Sequence, residues 1–144
     1  MKTKLLLIGL TLMLVTAPAS AKWRLLNENQ KGERVIAAWN DDKTRQLHIT
    51  CRRIYLIPPV AEDAGEKIAI ISFDNETPRG YAFEPSGFKN WLKLRSRDMR
   101  DELVRHMKVG LQLSMQEGGS SNRHNFSLNG FTRKYNHLGC IEKE

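Results

Sequence analysis

The chain has 144 residues, with 23 Lys and Arg against 16 Asp and Glu and a net charge of +7. That size accommodates one domain, and a composition 40% hydrophobic can bury a core. The modest basic excess argues against acidic disordered tails and does not by itself imply a nucleic-acid partner, and none is expected.

Lys2 and Lys4 open the chain, Leu5 to Val15 form an apolar run, and Ala19-Ser20-Ala21 supplies the small residues that signal peptidase prefers. Together they predict a signal peptide over residues 1–21 and an exported, periplasmic or secreted domain over residues 22–144. The run is too short to span a bilayer, and no later stretch approaches the roughly 18 apolar residues of a transmembrane helix.

Strand patterns follow. Arg34–Trp39 alternates, with Val35, Ala37 and Trp39 expected on the inward side, and Asn40–Lys43 reads as a turn. Gln46–Arg52 alternates with Leu47, Ile49 and Cys51 on one side, so the two segments predict a hairpin whose inner face carries Trp39 and Cys51. Ile54–Ile57 is a third strand, stopped by Pro58-Pro59, which cannot donate to a ladder. Lys67–Asp74 has apolar residues on both faces and is expected to be central. Tyr81–Glu84 and Asn90–Leu94 are short strands around a Pro85-Ser86-Gly87 loop.

Ser96 can cap a helix from Arg97 to about Lys108, with Met99, Leu103, Val104 and Met107 as its apolar stripe. A strand through Leu111, Leu113 and Met115, a Gly118–Asn122 turn and a strand Asn125–Leu128 come next. Phe131, Tyr135 and Leu138 predict a short helix ending at Gly139, a residue suited to a left-handed cap. Seven or eight short strands and two short helices predict a mainly β fold, a sandwich or flattened barrel.

Cys51 and Cys140 are the two cysteines. In an exported chain they predict one intramolecular disulfide, with intermolecular pairing as the main alternative. Closing a loop of about 90 residues is worth roughly 4–5 kcal/mol in the chain-entropy model.

No catalytic constellation stands out. The four histidines lack the i, i+4 spacing of a metal pair, and no Cys-x-x-Cys occurs. There is no Gly-x-Ser-x-Gly nucleophile elbow, and Asp41, Asp42, Glu62, Asp63 and Asp74 fall in turns and loops, where carboxylates ordinarily sit. The expectation is a chain without enzymatic activity, cofactor or metal.

Lys89, Lys93, Arg95, Arg97, Arg100, Arg105 and Lys108 crowd one stretch, interleaved with Phe88 and Trp91. On the helix, Asp101 stands i, i+4 from both Arg97 and Arg105, the pattern of a solvated, self-paired face. Alternation places Trp91 outward and Leu92 and Leu94 inward, so Lys89, Trp91, Lys93 and Arg95 form the candidate partner surface. Trp39 is expected in the core, and Trp23 near a mobile chain end.

Leu47-His48-Ile49-Thr50-Cys51-Arg52, the helix running into Leu111-Gln112-Leu113, the segment Phe126-Ser127-Leu128-Asn129-Gly130-Phe131 and the closing Leu138 and Cys140 form a recognisable layout. It resembles the small periplasmic proteins of the type VI secretion-associated accessory family (the VasI/TagO type) and, more loosely, the invasion-associated locus B type. The resemblance implies a noncatalytic envelope protein with a disulfide-stapled sandwich. The expected role is therefore binding to another envelope component, with an inhibitor or immunity protein against an envelope hydrolase or toxin as the alternative.

Overall fold

Alternating apolar residues and short turns give nine antiparallel strands, β1 (Arg24–Leu26), β2 (Val35–Trp39), β3 (Gln46–Ile49), β4 (Ile54–Ile57), β5 (Lys67–Phe73), β6 (Arg79–Pro85), β7 (Leu92–Leu94), β8 (Gln112–Glu117) and β9 (Arg123–Ser127). Among the described residues, two helices, α1 (Arg97–Val109) and α2 (Phe131–Asn136), interrupt and follow the last strands. The computed structural model describes residues 22–26, 32–63 and 65–141, so the expected signal peptide lies outside the described residues.

All nine strands form one sheet in the order β1-β2-β3-β4-β7-β6-β5-β8-β9. The sheet curls so that its ends approach: Asp41 N donates to Asn125 O at 2.9 Å, and the Trp23 indole N–H donates to Ser127 O at 2.9 Å. The fold is mainly β, as expected, with β1 as a strand the alternation did not reveal. The core packs Ile36, Leu47, Ile49, Leu56, Phe83, Leu92 and Phe126 against Leu103, Val104 and Met107 of α1 and Phe131 and Tyr135 of α2.

Register corrects the expected faces. Ile36 pairs with Ile49 and Ala38 with Leu47, so these residues face the core together, while Trp39 pairs with Gln46 on the outer face and is 38% exposed. Shifting a strand by one residue exchanges its faces, and the all-apolar run Val35–Ala38 carries no alternation to prevent the misreading. β5 is paired on both sides, by β6 and β8, yet only Ala69, Ile71 and Phe73 are buried. Ile68 and Ile70 face outward, so its second apolar face is not core.

Trp23 is a second correction. It is buried, with its ring edge-on to Phe131 at 5.0 Å, and the hydrogen bond to Ser127 fixes it to β9.

α1 begins where the Ser96 hydroxyl accepts from Met99 N at 3.2 Å, an arrangement worth about 1 kcal/mol. Gly139 adopts φ +69°, which turns the chain out of α2 directly into Cys140. Cys51 and Cys140 are disulfide-bonded, with Cα atoms 5.3 Å apart, and join the end of the first hairpin to the segment after α2.

Candidate functional site

The expected partner surface lies on the outer face of the sheet. Cross-strand register aligns Ala37, His48, Tyr55, Lys93 and Glu84 in one outer row. Trp91, just before β7, leans over this row: its ring lies 5.1 Å from His48, 6.1 Å from Tyr55 and 5.1 Å from Phe88, each edge to face. It is half-buried rather than fully outward, and Leu92 and Leu94 are buried as expected. The loop carrying it is anchored by Asn90, whose amide donates to Pro59 O at 2.7 Å and Glu62 O at 3.0 Å.

Of the basic residues expected here, Lys93 lies 3.7 Å from Glu84, and Arg95 bonds both Glu84 and Glu66 at 3.1 Å. Lys89 sits on the loop with its ammonium 5.2 Å from the Phe88 ring centre. The structure thus brings Lys93 and Arg95 together on one carboxylate, leaving Lys89 as the more open cation of the set. Trp39, absent from the expected surface, supplies its most exposed aromatic.

Burial shapes the chemistry beneath. His48 is desolvated and faces the positive Arg24, which together hold its pKa at about 4, so it is neutral near pH 7. Its Nε2 shares a hydrogen bond with Gln46 Oε1 at 3.1 Å. The Tyr55 hydroxyl is buried without a hydrogen-bond partner among the described residues, and burial, then Glu33, raise its pKa. Both rings pack edge-on against Trp91, so this face offers shape and aromatic area.

A second titratable cluster stands where the β2–β3 turn meets β8 and β9. Glu117 accepts from Arg45 Nε at 2.7 Å and from Lys67 at 2.9 Å, Glu62 completes the network, and His124 lies 3.7 Å from Glu117. Burial raises the Glu117 carboxyl, but the Arg45 and Lys67 hydrogen bonds outweigh it and hold the pKa below its ordinary value. Every charge is engaged by a protein partner, which marks a cross-link between segments.

A third feature was not legible as a site. A cavity of about 290 Å³ runs along α1 above the disulfide, bordered by Arg97, Asp98, Asp101, Arg105 and Lys108, with Val104 and Tyr135 in its wall. The expected Arg97–Asp101–Arg105 pairing is absent. Asp101 instead accepts from Arg100 Nη1 at 3.0 Å. Arg100 is buried, with Nη2 donating to Thr50 O at 2.5 Å and to the Tyr135 hydroxyl at 2.9 Å. The readable signal was its position: Arg100 precedes Leu103, Val104 and Met107 by three, four and seven residues, inside the apolar stripe, so it must be buried and must recruit partners.

Among the described residues, no group of three or more His, Cys, Asp or Glu side chains is placed to hold a metal ion, and no helix is long and apolar enough to cross a membrane. Comparisons with protein-family models, characterised proteins and solved structures find no match.

Proposed function

We propose that the chain is an exported, noncatalytic accessory protein that binds a protein component of the cell envelope through the outer face of β2, β3, β4 and β7. The observation that supports this reading is the cluster of Phe88 and Trp91 on a rigid sheet, with Trp39 exposed on the same face. Aromatic anchors of this kind carry most of the affinity at protein interfaces, and the anchored loop keeps their ordering cost low. A secretion-associated role, implied by the resemblance in layout, belongs to the same proposal.

The test is capture of a partner from periplasmic extract by the purified chain, followed by binding measurements with Trp39→Ala and Trp91→Ala. Each is expected to weaken binding by about 1 kcal/mol or more. Unchanged affinity in both, with the fold intact, would refute this docking face. Amino-terminal sequencing of the exported protein is expected to begin at Lys22, and a chain retaining Met1 would refute the export part of the reading.

A further inference from the structure

The groove over the disulfide is a second surface, on the core side of the sheet where α1 packs, away from the aromatic outer face. Its chemistry is set by a diversion of charge. Asp101 is held by Arg100, Glu102 is paired with Arg79, and Asp98, also on the border, pairs with no cation among the described residues. Among the described residues, Arg97 and Arg105 therefore have no hydrogen-bond or ion-pair partner for their side chains. Lys108 lies 4.7 Å from the Tyr135 ring centre and adds a third cation to the border.

Spacing narrows the ligand. Arg97 and Arg105 are eight residues apart on one helix, about 12 Å along the axis. A single oxyanion cannot sit against both guanidinium groups at that separation without drawing the side chains together. An extended peptide places residues i and i+4 on the same side, about 13 Å apart. Two carboxylates so spaced match the two arginines, each able to receive a forked pair of N–H donors. Asp101 lies between them, so the residue at i+2 must not be acidic.

We propose that this groove binds an extended acidic segment of a partner protein, with carboxylates at i and i+4 and a neutral or basic residue between them. The cavity wall of Val104 and the Tyr135 ring gives the intervening residues an apolar contact.

The test uses the full chain, labelled with ¹⁵N and titrated with the peptide acetyl-Glu-Ser-Gln-Ser-Glu-amide, with its Gln-for-Glu counterpart, and with inorganic phosphate. Amide shifts concentrated on α1 and around Cys140 are expected with the acidic peptide alone, and Arg97→Glu with Arg105→Glu is expected to weaken that binding about tenfold or more. A matched pair at the opposite end of the hairpin, Lys43→Glu with Arg123→Glu, changes net charge equally and is expected to leave it within about twofold, because screening confines surface charge to roughly 10 Å. Arg97→Gln with Arg105→Gln keeps the test open should charge reversal disturb the helix. Phosphate binding without peptide binding, absence of any shift, or equal losses in the two reversed pairs would each overturn the proposal.

Discussion

Two charged regions of this molecule are handled in opposite ways. Where the β2–β3 turn meets β8 and β9, Arg45 and Glu117 are buried and bound to each other, and Lys67, Glu62 and His124 complete the network. Over the disulfide, Arg97 and Arg105 stand exposed, while Asp101, the carboxylate at i, i+4 from both, serves Arg100 instead. The difference follows from burial. A charge removed from water must be paired or the fold loses several kcal/mol, whereas an exposed guanidinium is solvated and loses little by having no partner. Paired charge here marks what holds the chain together, and unpaired charge marks what is left for a ligand.

The largest expected effect falls on the floor of the open region. Cys51→Ala and Cys140→Ala each remove the same constraint on the unfolded chain, and each is expected to cost roughly 4–5 kcal/mol in denaturant unfolding. Strongly unequal losses would mean that one cysteine stabilises by something other than the shared bond.

Glu117→Ala sharpens the contrast directly. It leaves buried Arg45 with the partly exposed Glu62 as its remaining carboxylate, and about 3 kcal/mol is expected to be lost. Arg97→Gln or Arg105→Gln is expected to stay within about 0.5 kcal/mol of the parent. If urea midpoints moved alike for both regions, the division between structural and open charge would fail.

Protons probe the same division through His48. Its folded-state pKa of about 4 lies below its ordinary 6.5, so on acidification the unfolded chain binds the proton first. Stability is therefore complete above about pH 6.5, falls as pH drops toward 4, and loses up to about 3 kcal/mol from this group. His124 is also held below its ordinary value, by burial and then by Arg45, and adds loss in the same direction. Glu117, with a lowered carboxyl pKa, extends the loss to still more acidic solution. Unfolding measured at pH 7 and pH 4.5 is expected to show a smaller difference for His48→Gln than for the parent, and an unchanged difference would remove His48 from this account.

The smallest effect concerns Trp39. Because it is 38% exposed, Trp39→Ala is expected to cost about 1 kcal/mol or less, far below the 3–5 kcal/mol of a buried aromatic truncation. A melting temperature lowered by much more than a few degrees would return this side chain to the core.

Most of the fold was legible because its signals are local. Gln46–Ile49 and Leu113–Met115 alternate cleanly, Ser96 and the Leu103-Val104-Met107 stripe define α1, and two cysteines leave one intramolecular pairing. What failed depended on partners distant in sequence. β1 is three residues long and is held by a Trp23 bond that spans 104 positions. The facing of β2 needed the register with β3, which a uniformly apolar strand does not encode. The candidate surface was half legible: Trp91 and Lys93 share the outer face, but Glu84 and Glu66 reach Lys93 and Arg95 from other segments. In the groove the local i, i+4 rule was overridden by a buried arginine that claimed the shared carboxylate.

The disulfide also sets an order of events. Cys51 and Cys140 are separated by 89 positions, so during synthesis at 5–20 residues per second the first thiol waits roughly 5–20 s for its partner. Throughout that interval the chain contains no second cysteine with which Cys51 could form a wrong internal bond. A competing bond to another copy of the chain forms faster as concentration rises, while the correct closure does not. Overproduction in an oxidising compartment should therefore accumulate reducible dimers, and lowering the expression level should restore monomer without any change to the sequence.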